Sequence, residues 1–166
     1  TKDAGDLYAE GRIVLIVPHG SVLKADEAMN DLAAQLEAGR ITRFAIANPE
    51  HAPYGLRAEE ALRHRGLWDK VQPHLVLGEN VSQAAQFALS GNAQGGIIAY
   101  SLALAPEVRS QGQFALIPHD WHKPLLQRMA LLRNAGPVAT EFYTFMKSPK
   151  AREIMKKYGF VLPDEG

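Results

Sequence analysis

The sequence contains no cysteine, so disulfide staples and thiol chemistry are excluded. Neither charge is in excess: 18 Lys and Arg stand against 18 Asp and Glu, for a formal net charge of zero. No basic stripe speaks for a nucleic-acid partner, and no acidic tail speaks for a basic one. Long apolar runs are missing too; a stretch such as residues 13–17 is far too short to span a bilayer. Residues 1–11 carry no charged-then-apolar secretory pattern. They run straight into an apolar segment, which predicts that the natural protein has material upstream. There is no internal repeat and no low-complexity tract.

Catalytic signatures are equally scarce. Ser21, Ser82, Ser90, Ser101 and Ser110 include no Gly-x-Ser-x-Gly elbow. Residues 91–96 lack the spacing and the lysine of a phosphate-cradling loop. No base stands paired with a nucleophile, so the expectation is a binding protein with no catalytic residue and no cofactor. His119 and His122 flank Asp120 at a spacing that could suggest a metal site. No third ligand is evident and the segment carries no helical pattern, so the expectation is a surface loop and no metal.

What is present is an alternation of strand and helix signals in a chain long enough to bury roughly 70% of its unfolded surface. Residues 12–17 are apolar and β-branched and close on Pro18, His19 and Gly20, predicting a buried strand. Met29, Leu32, Ala33 and Leu36 repeat at helical spacing and predict a helix over 26–38, ended by Gly39. Strands are predicted at 44–47, 75–77 and 97–99. Helices are predicted at 55–65, where Arg57, Glu59, Glu60 and Arg63 read as a solvated face, and at 80–90 with Asn80 as N-cap. After a short helix or crossover at 101–108, residues 113–117 and 125–132 read as strands around a loop at 118–124. Pro137 suits a first helical turn. Val138, Phe142, Phe145 and Met146 form an apolar stripe, and a final helix runs from Ser148-Pro149 to Tyr158 with Gly159 as its cap.

This alternation predicts an α/β fold with helices on the faces of a sheet. In such folds ligands sit beyond the C-terminal ends of strands, at helix N-termini. Two places qualify. Residues 48–55, Asn-Pro-Glu-His-Ala-Pro-Tyr-Gly, leave one strand and enter a helix whose first amides would be unpaired donors, a setting that favours an anion. Residues 78–82, Gly-Glu-Asn-Val-Ser, repeat that arrangement after the next strand. Each alone also reads as an ordinary strand-to-helix loop or a simple N-cap. Two such starts after neighbouring strands strengthen the anion reading.

The segment Ala-Ile-Ala-Asn-Pro-Glu-His-Ala-Pro-Tyr-Gly at 45–55 resembles a ligand loop of the periplasmic molybdate-binding proteins of ABC transporters, within the type II periplasmic solute-binding family. Gly-Leu-Trp-Asp-Lys at 66–70, Glu-Asn-Val at 79–81, residues 91–98 and the C-terminal stretch 148–160 are similar to further parts of that family. The resemblance implies a two-lobed, periplasmic-binding-protein-like α/β architecture whose first lobe is incomplete in this chain. Residues 12–100 would form lobe two, the anion-binding lobe. Residues 1–11 and 101–166 would form the remainder of lobe one with the C-terminal helices. It implies molybdate or tungstate held by neutral donors, here the amides of Tyr54 and Val81, with Pro53, Gly55 and Asn80 as supporting loop residues. Where some members use a tyrosine hydroxyl from the returning strand, this chain has Ala99 with Tyr100 beside it; it is similar to the subgroup with tyrosine at position 54. The implied setting is the periplasm, and the implied partner is the membrane permease of an ABC importer, with self-association through the exposed apolar stripe as a further expectation. A sulfate or other anion receptor, or the effector-binding domain of a transcription regulator, are the alternatives.

Overall fold

In the computed structural model, which describes residues 1–164, seven strands and eight α-helices follow one another along the described chain. Strand β1 (Asp6–Gly11) leads through Arg12 into β2 (Ile13–Pro18), and helix α1 (Asn30–Glu37) follows. Then come β3 (Phe44–Ala47), α2 (Pro53–His64), α3 (Trp68–Val71), a 3-10 turn at Gln72–His74, and β4 (Leu75–Gly78). Helix α4 (Val81–Leu89), β5 (Gly95–Ala99), α5 (Tyr100–Ala103), α6 (Pro106–Arg109) and β6 (Gly112–Leu116) complete the larger unit. A 3-10 turn at His119–Trp121 precedes β7 (Leu125–Met129), and α7 (Pro137–Phe145) and α8 (Pro149–Lys157) end the described chain.

The strands form a five-stranded sheet in the order β4-β3-β5-β2-β6 and a separate two-stranded ribbon of β1 and β7. β3 runs parallel to both β4 and β5, whereas β2 is antiparallel to β5 and β6. Two-residue alternation divides the core between the sheet's faces, because successive strand side chains point to opposite sides. Ile13, Leu15, Val17, Phe44, Ile46 and Ile97 pack under α1, α2 and α3. Val14, Ile16, Ala45, Ala47 and Ile98 meet the small residues Ala84, Ala85 and Ala88 of α4. A third cluster joins Ala9 of β1 to Ala151 and Met155 of α8 and to Leu162.

Several expectations shift. The ribbon strand β1 is not foreseen by the sequence, and β7 stops at Met129 rather than continuing to 132. The helix predicted over 26–38 begins only at Asn30. The Asp26 carboxylate accepts from the amides of Asn30 (2.9 Å) and Asp31 (2.9 Å), and Met29 takes a left-handed φ of 54°, so residues 26–29 form the turn that starts the helix. The five-stranded sheet also runs past position 100, since β6 pairs with β2 from Val14↔Leu116 to Pro18↔Gly112. The predicted face of α2 is not fully solvated either. Arg57 and Glu60 pair at 2.5 Å, largely covered, and Glu60 also accepts from the Lys123 amide at 2.8 Å.

Candidate anion site

Strands β3 and β4 lie side by side and parallel, in register from Phe44↔Leu75 to Ala47↔Gly78. Their exits therefore share one edge of the sheet, and the Asn48 amide donates to the Gly78 carbonyl at 2.8 Å. Each strand then turns into a helix: β3 through residues 48–52 into α2, and β4 through Glu79 and Asn80 into α4. Pro53 occupies the first turn of α2, where a missing amide costs nothing. Gly55 sits so close to the strand end that a Cβ there would lie 2.0 Å from the Ala47 carbonyl oxygen. Glycine is what lets this helix start press against the end of β3.

At α4 the Asn80 side chain caps the helix, accepting from the Gln83 amide at 2.9 Å, and its carbonyl accepts from Ala84 at 3.1 Å. The amides of Val81 and Ser82 are left over. At α2 the N-cap Ala52 has no capping side chain, and the first backbone bond closes from Leu56 to Ala52 at 3.1 Å, leaving the amides of Tyr54 and Gly55. Among the described residues none accepts from these four amides. Unpaired first-turn amides and the positive end of the helix dipole together favour a negative ligand.

The two starts face one cavity of ≈ 210 Å³ lined by His51, Ala52, Pro53, Tyr54, Glu79, Asn80 and Val81. No lysine or arginine is in this lining. His51 spans the pair: its Nε2 lies 3.1 Å from the Glu79 carbonyl oxygen and 3.4 Å from the Glu79 carboxylate. The structure thus brings Pro53, Tyr54, Asn80 and Val81 to a single pocket and puts Gly55 at its back, against β3. Tyr100 lies elsewhere, against Phe114 and the Gly159 turn. His119 and His122 do not converge: His119 is exposed, while His122 is only 8% exposed, so the loop is not wholly a surface feature. Among the described residues no group of three or more His, Cys, Asp or Glu could hold a metal ion.

The Tyr54 side chain points away from a purely local role. Its hydroxyl accepts from Gln127 Nε2 at 2.8 Å, and Tyr8 donates to Gln127 Oε1 at 2.9 Å. Burial raises the Tyr54 phenol above the ordinary tyrosine range, partly offset by the bond from Gln127. Gln127 and Tyr8 escape the sequence reading. The signal available is alternation in β7, where Gln127 shares the inward rank with Leu125.

The sequence model for bacterial extracellular solute-binding proteins matches residues 2–161. The chain belongs to that family. As a solute-binding family member it is a binding protein rather than an enzyme. Among its relatives is the molybdate-binding protein ModA of Rhodobacter capsulatus, 36% identical over 156 residues, which cover 93% of this chain and 58% of the relative. ModA of Escherichia coli (strain K12) is 32% identical over 153 residues, 90% of this chain and 58% of the relative. The chain therefore spans about 58% of the length of these curated relatives. The solved periplasmic molybdate-binding protein of Azotobacter vinelandii superposes with a TM-score of 0.81 at 31% identity, covering 96% of this chain and 69% of that one. These relatives are named for binding molybdate, an oxyanion. The solute-binding fold described here thus includes two amide-bearing helix starts at one sheet edge. Among the described residues, no helix is long and apolar enough to cross a membrane.

Proposed function

We propose that this chain supplies the anion-binding lobe and part of the other lobe of an extracytoplasmic receptor for molybdate or tungstate, which delivers the anion to the membrane permease of an ABC importer. The observation that carries the reading is the single pocket lined by two helix starts whose first amides are unpaired, with no lysine or arginine in its lining. Amides that are already rigid need no reorganisation to meet a dianion, and hydrogen bonds to a charged group are each worth about 1.5–3 kcal/mol. In this reading the Tyr54 and Val81 amides donate to the oxyanion, Pro53 and Gly55 fix the α2 start, and Asn80 spends its side chain on Gln83 so that Val81 stays free. The names of the relatives favour molybdate over other tetrahedral anions.

The five-stranded sheet with its helices would be the anion-binding lobe. The β1–β7 ribbon with α7 and α8 would belong with the other lobe. Residues 101–116 then go with the first rather than the second, because β6 completes the sheet. Val138 and Phe142 are 79% and 62% exposed, and this stripe supports self-association of the isolated chain. Calorimetric titration of the protein at its full natural length with molybdate, tungstate, sulfate and phosphate tests the assignment. Micromolar or tighter binding of molybdate and tungstate, with sulfate and phosphate far weaker, is expected; preference for sulfate or phosphate, or no binding, would overturn it.

A further inference from the structure

The hydrogen-bonded chain Tyr8–Gln127–Tyr54 links the β1–β7 ribbon to the first turn of α2, and three separate features of the backbone and sequence converge on it. The first is a bulge. In β1 the register passes from Leu7↔Arg128 to Ala9↔Gln127, so Tyr8 is the extra residue. A bulge re-aims the side chain it carries, and here the Tyr8 hydroxyl reaches Gln127 Oε1 at 2.9 Å. The second is Gln127 itself, a polar residue on the inward rank of β7 that spends its donor on Tyr54 and its acceptor on Tyr8. The third is Gly11, where the ribbon hands over to the large sheet. A Cβ at Gly11 would lie 2.3 Å from the Tyr54 hydroxyl and 3.1 Å from Gln127 Nε2. Only glycine leaves room for the phenol to reach the ribbon.

We infer that Gln127 is a positioning residue for the anion pocket: by holding the Tyr54 phenol against the ribbon, it fixes the aim of the Tyr54 amide and couples the pocket to the ribbon's conformation. The inference rests on the proposed oxyanion reading for what the pocket binds, but the linkage itself is local. Tyr54 is the second residue of α2, and its amide meets neither a capping side chain nor a backbone acceptor. Its phenol is a further anchor beside the Pro53 and Gly55 turn, and Gln127 Nε2 is the hydrogen-bond partner of that phenol. Gln127 lies in a different sheet from β3 and β4, so any shift of the ribbon relative to the large sheet is transmitted to the helix start.

The test uses the protein at its full natural length, with molybdate as probe, and the variants Gln127→Met, Tyr54→Phe and both together. Tyr54→Phe keeps the backbone amide and removes one oxygen atom. Each single variant should bind molybdate about three- to tenfold more weakly, the worth of a neutral hydrogen bond. The double variant should be no weaker than the worse single one, because both remove the same link. In amide-resolved NMR of the ligand-free protein, the Tyr54 and Gly55 resonances should move in Gln127→Met while those of Val81 and Ser82 hold. A general loss of packing would not confine the change to α2. Additive losses, or affinity within twofold of the native protein with the Tyr54 resonance unmoved, would overturn the inference. If Gln127→Met does not fold, Tyr54→Phe carries both readouts. If the native protein binds no molybdate, the oxyanion reading falls, and the resonances alone decide the positioning role.

Discussion

Proline at position 81 would separate the anion donor from the fold. Val81 is the first residue of α4, where its amide has no intrahelical partner. A proline there fits the helix it starts, and Asn80 already has the extended backbone (φ −149°, ψ 174°) that a residue before proline prefers. The Asn80 cap onto Gln83 needs nothing from Val81. Val81→Pro therefore removes one N–H and trims the packing of the Val81 side chain on the cluster beneath α4, a loss that the Val81→Ala variant shares. If that N–H donates to a dianion, its loss costs about 1.5–3 kcal/mol, a drop of roughly ten- to a hundredfold in affinity. Titration calorimetry against molybdate reads the affinity, and a urea melt reads the fold. Val81→Ala, which keeps the amide, should bind nearly as the native protein does. A folded Val81→Pro protein with native affinity would remove this amide from the site and refute the reasoning.

Gly55→Ala should destabilise by about 1–3 kcal/mol through overpacking, because the new Cβ meets the Ala47 carbonyl; a native melting midpoint would show that α2 can back away from β3 at no cost. His122 should make stability pH-dependent: burial holds its imidazole below the ordinary histidine value, with Arg12 and Arg57 adding to this and the Lys123 carbonyl and Glu60 opposing it. The folded protein keeps His122 neutral, so this contribution is full above the unfolded value near 6.5 and is lost as pH falls through the lowered folded value, at most about 1.4 kcal/mol per pH unit. Urea midpoints from pH 7.5 to 5 should fall less steeply in His122→Phe, and identical slopes would count against it. Phe142→Glu should leave stability within about 0.5 kcal/mol of native, because the side chain is mostly exposed, and should lower the scattering mass of the isolated chain; a native chain already monomeric at high concentration would defeat the self-association proposal.

The residues that mark the pocket are legible because their signals are local. Asn80 caps the helix it precedes, and Pro53 and Gly55 sit where a stiff turn and a close approach are needed. The strands at 44–47 and 75–78 show as short apolar runs, so the pairing of two helix starts follows from their order along the chain. What stays hidden depends on distant partners. β1 has little alternation of its own and is a strand because Asp6 to Gly11 find Leu125 to Met129. Arg57 and Glu60 have the pattern of a solvated helix face, yet the loop at 118–124 lies over them. Position 100 looks like a boundary because the pattern changes there, but β2 recruits β6 from beyond it. Periodicity reports which face of an element is apolar; it is silent on which later segment will cover it.

That recruitment governs the order in which the molecule can assemble. β2 is the second strand made, and all six of its residues are buried, yet its neighbours are β5 and β6, synthesised long afterwards. β1 waits longer still, for β7. Until β5 has emerged, an apolar strand stands with both backbone edges open, and until residue 116 has emerged one edge stays open, a template for pairing with other chains. Contacts this distant in sequence make folding slow. The segment from β3 to α4 can pack on itself early, whereas β2 must wait for β5 and β6, so the sheet should be completed in a late step during which a chaperone can cover the open strand.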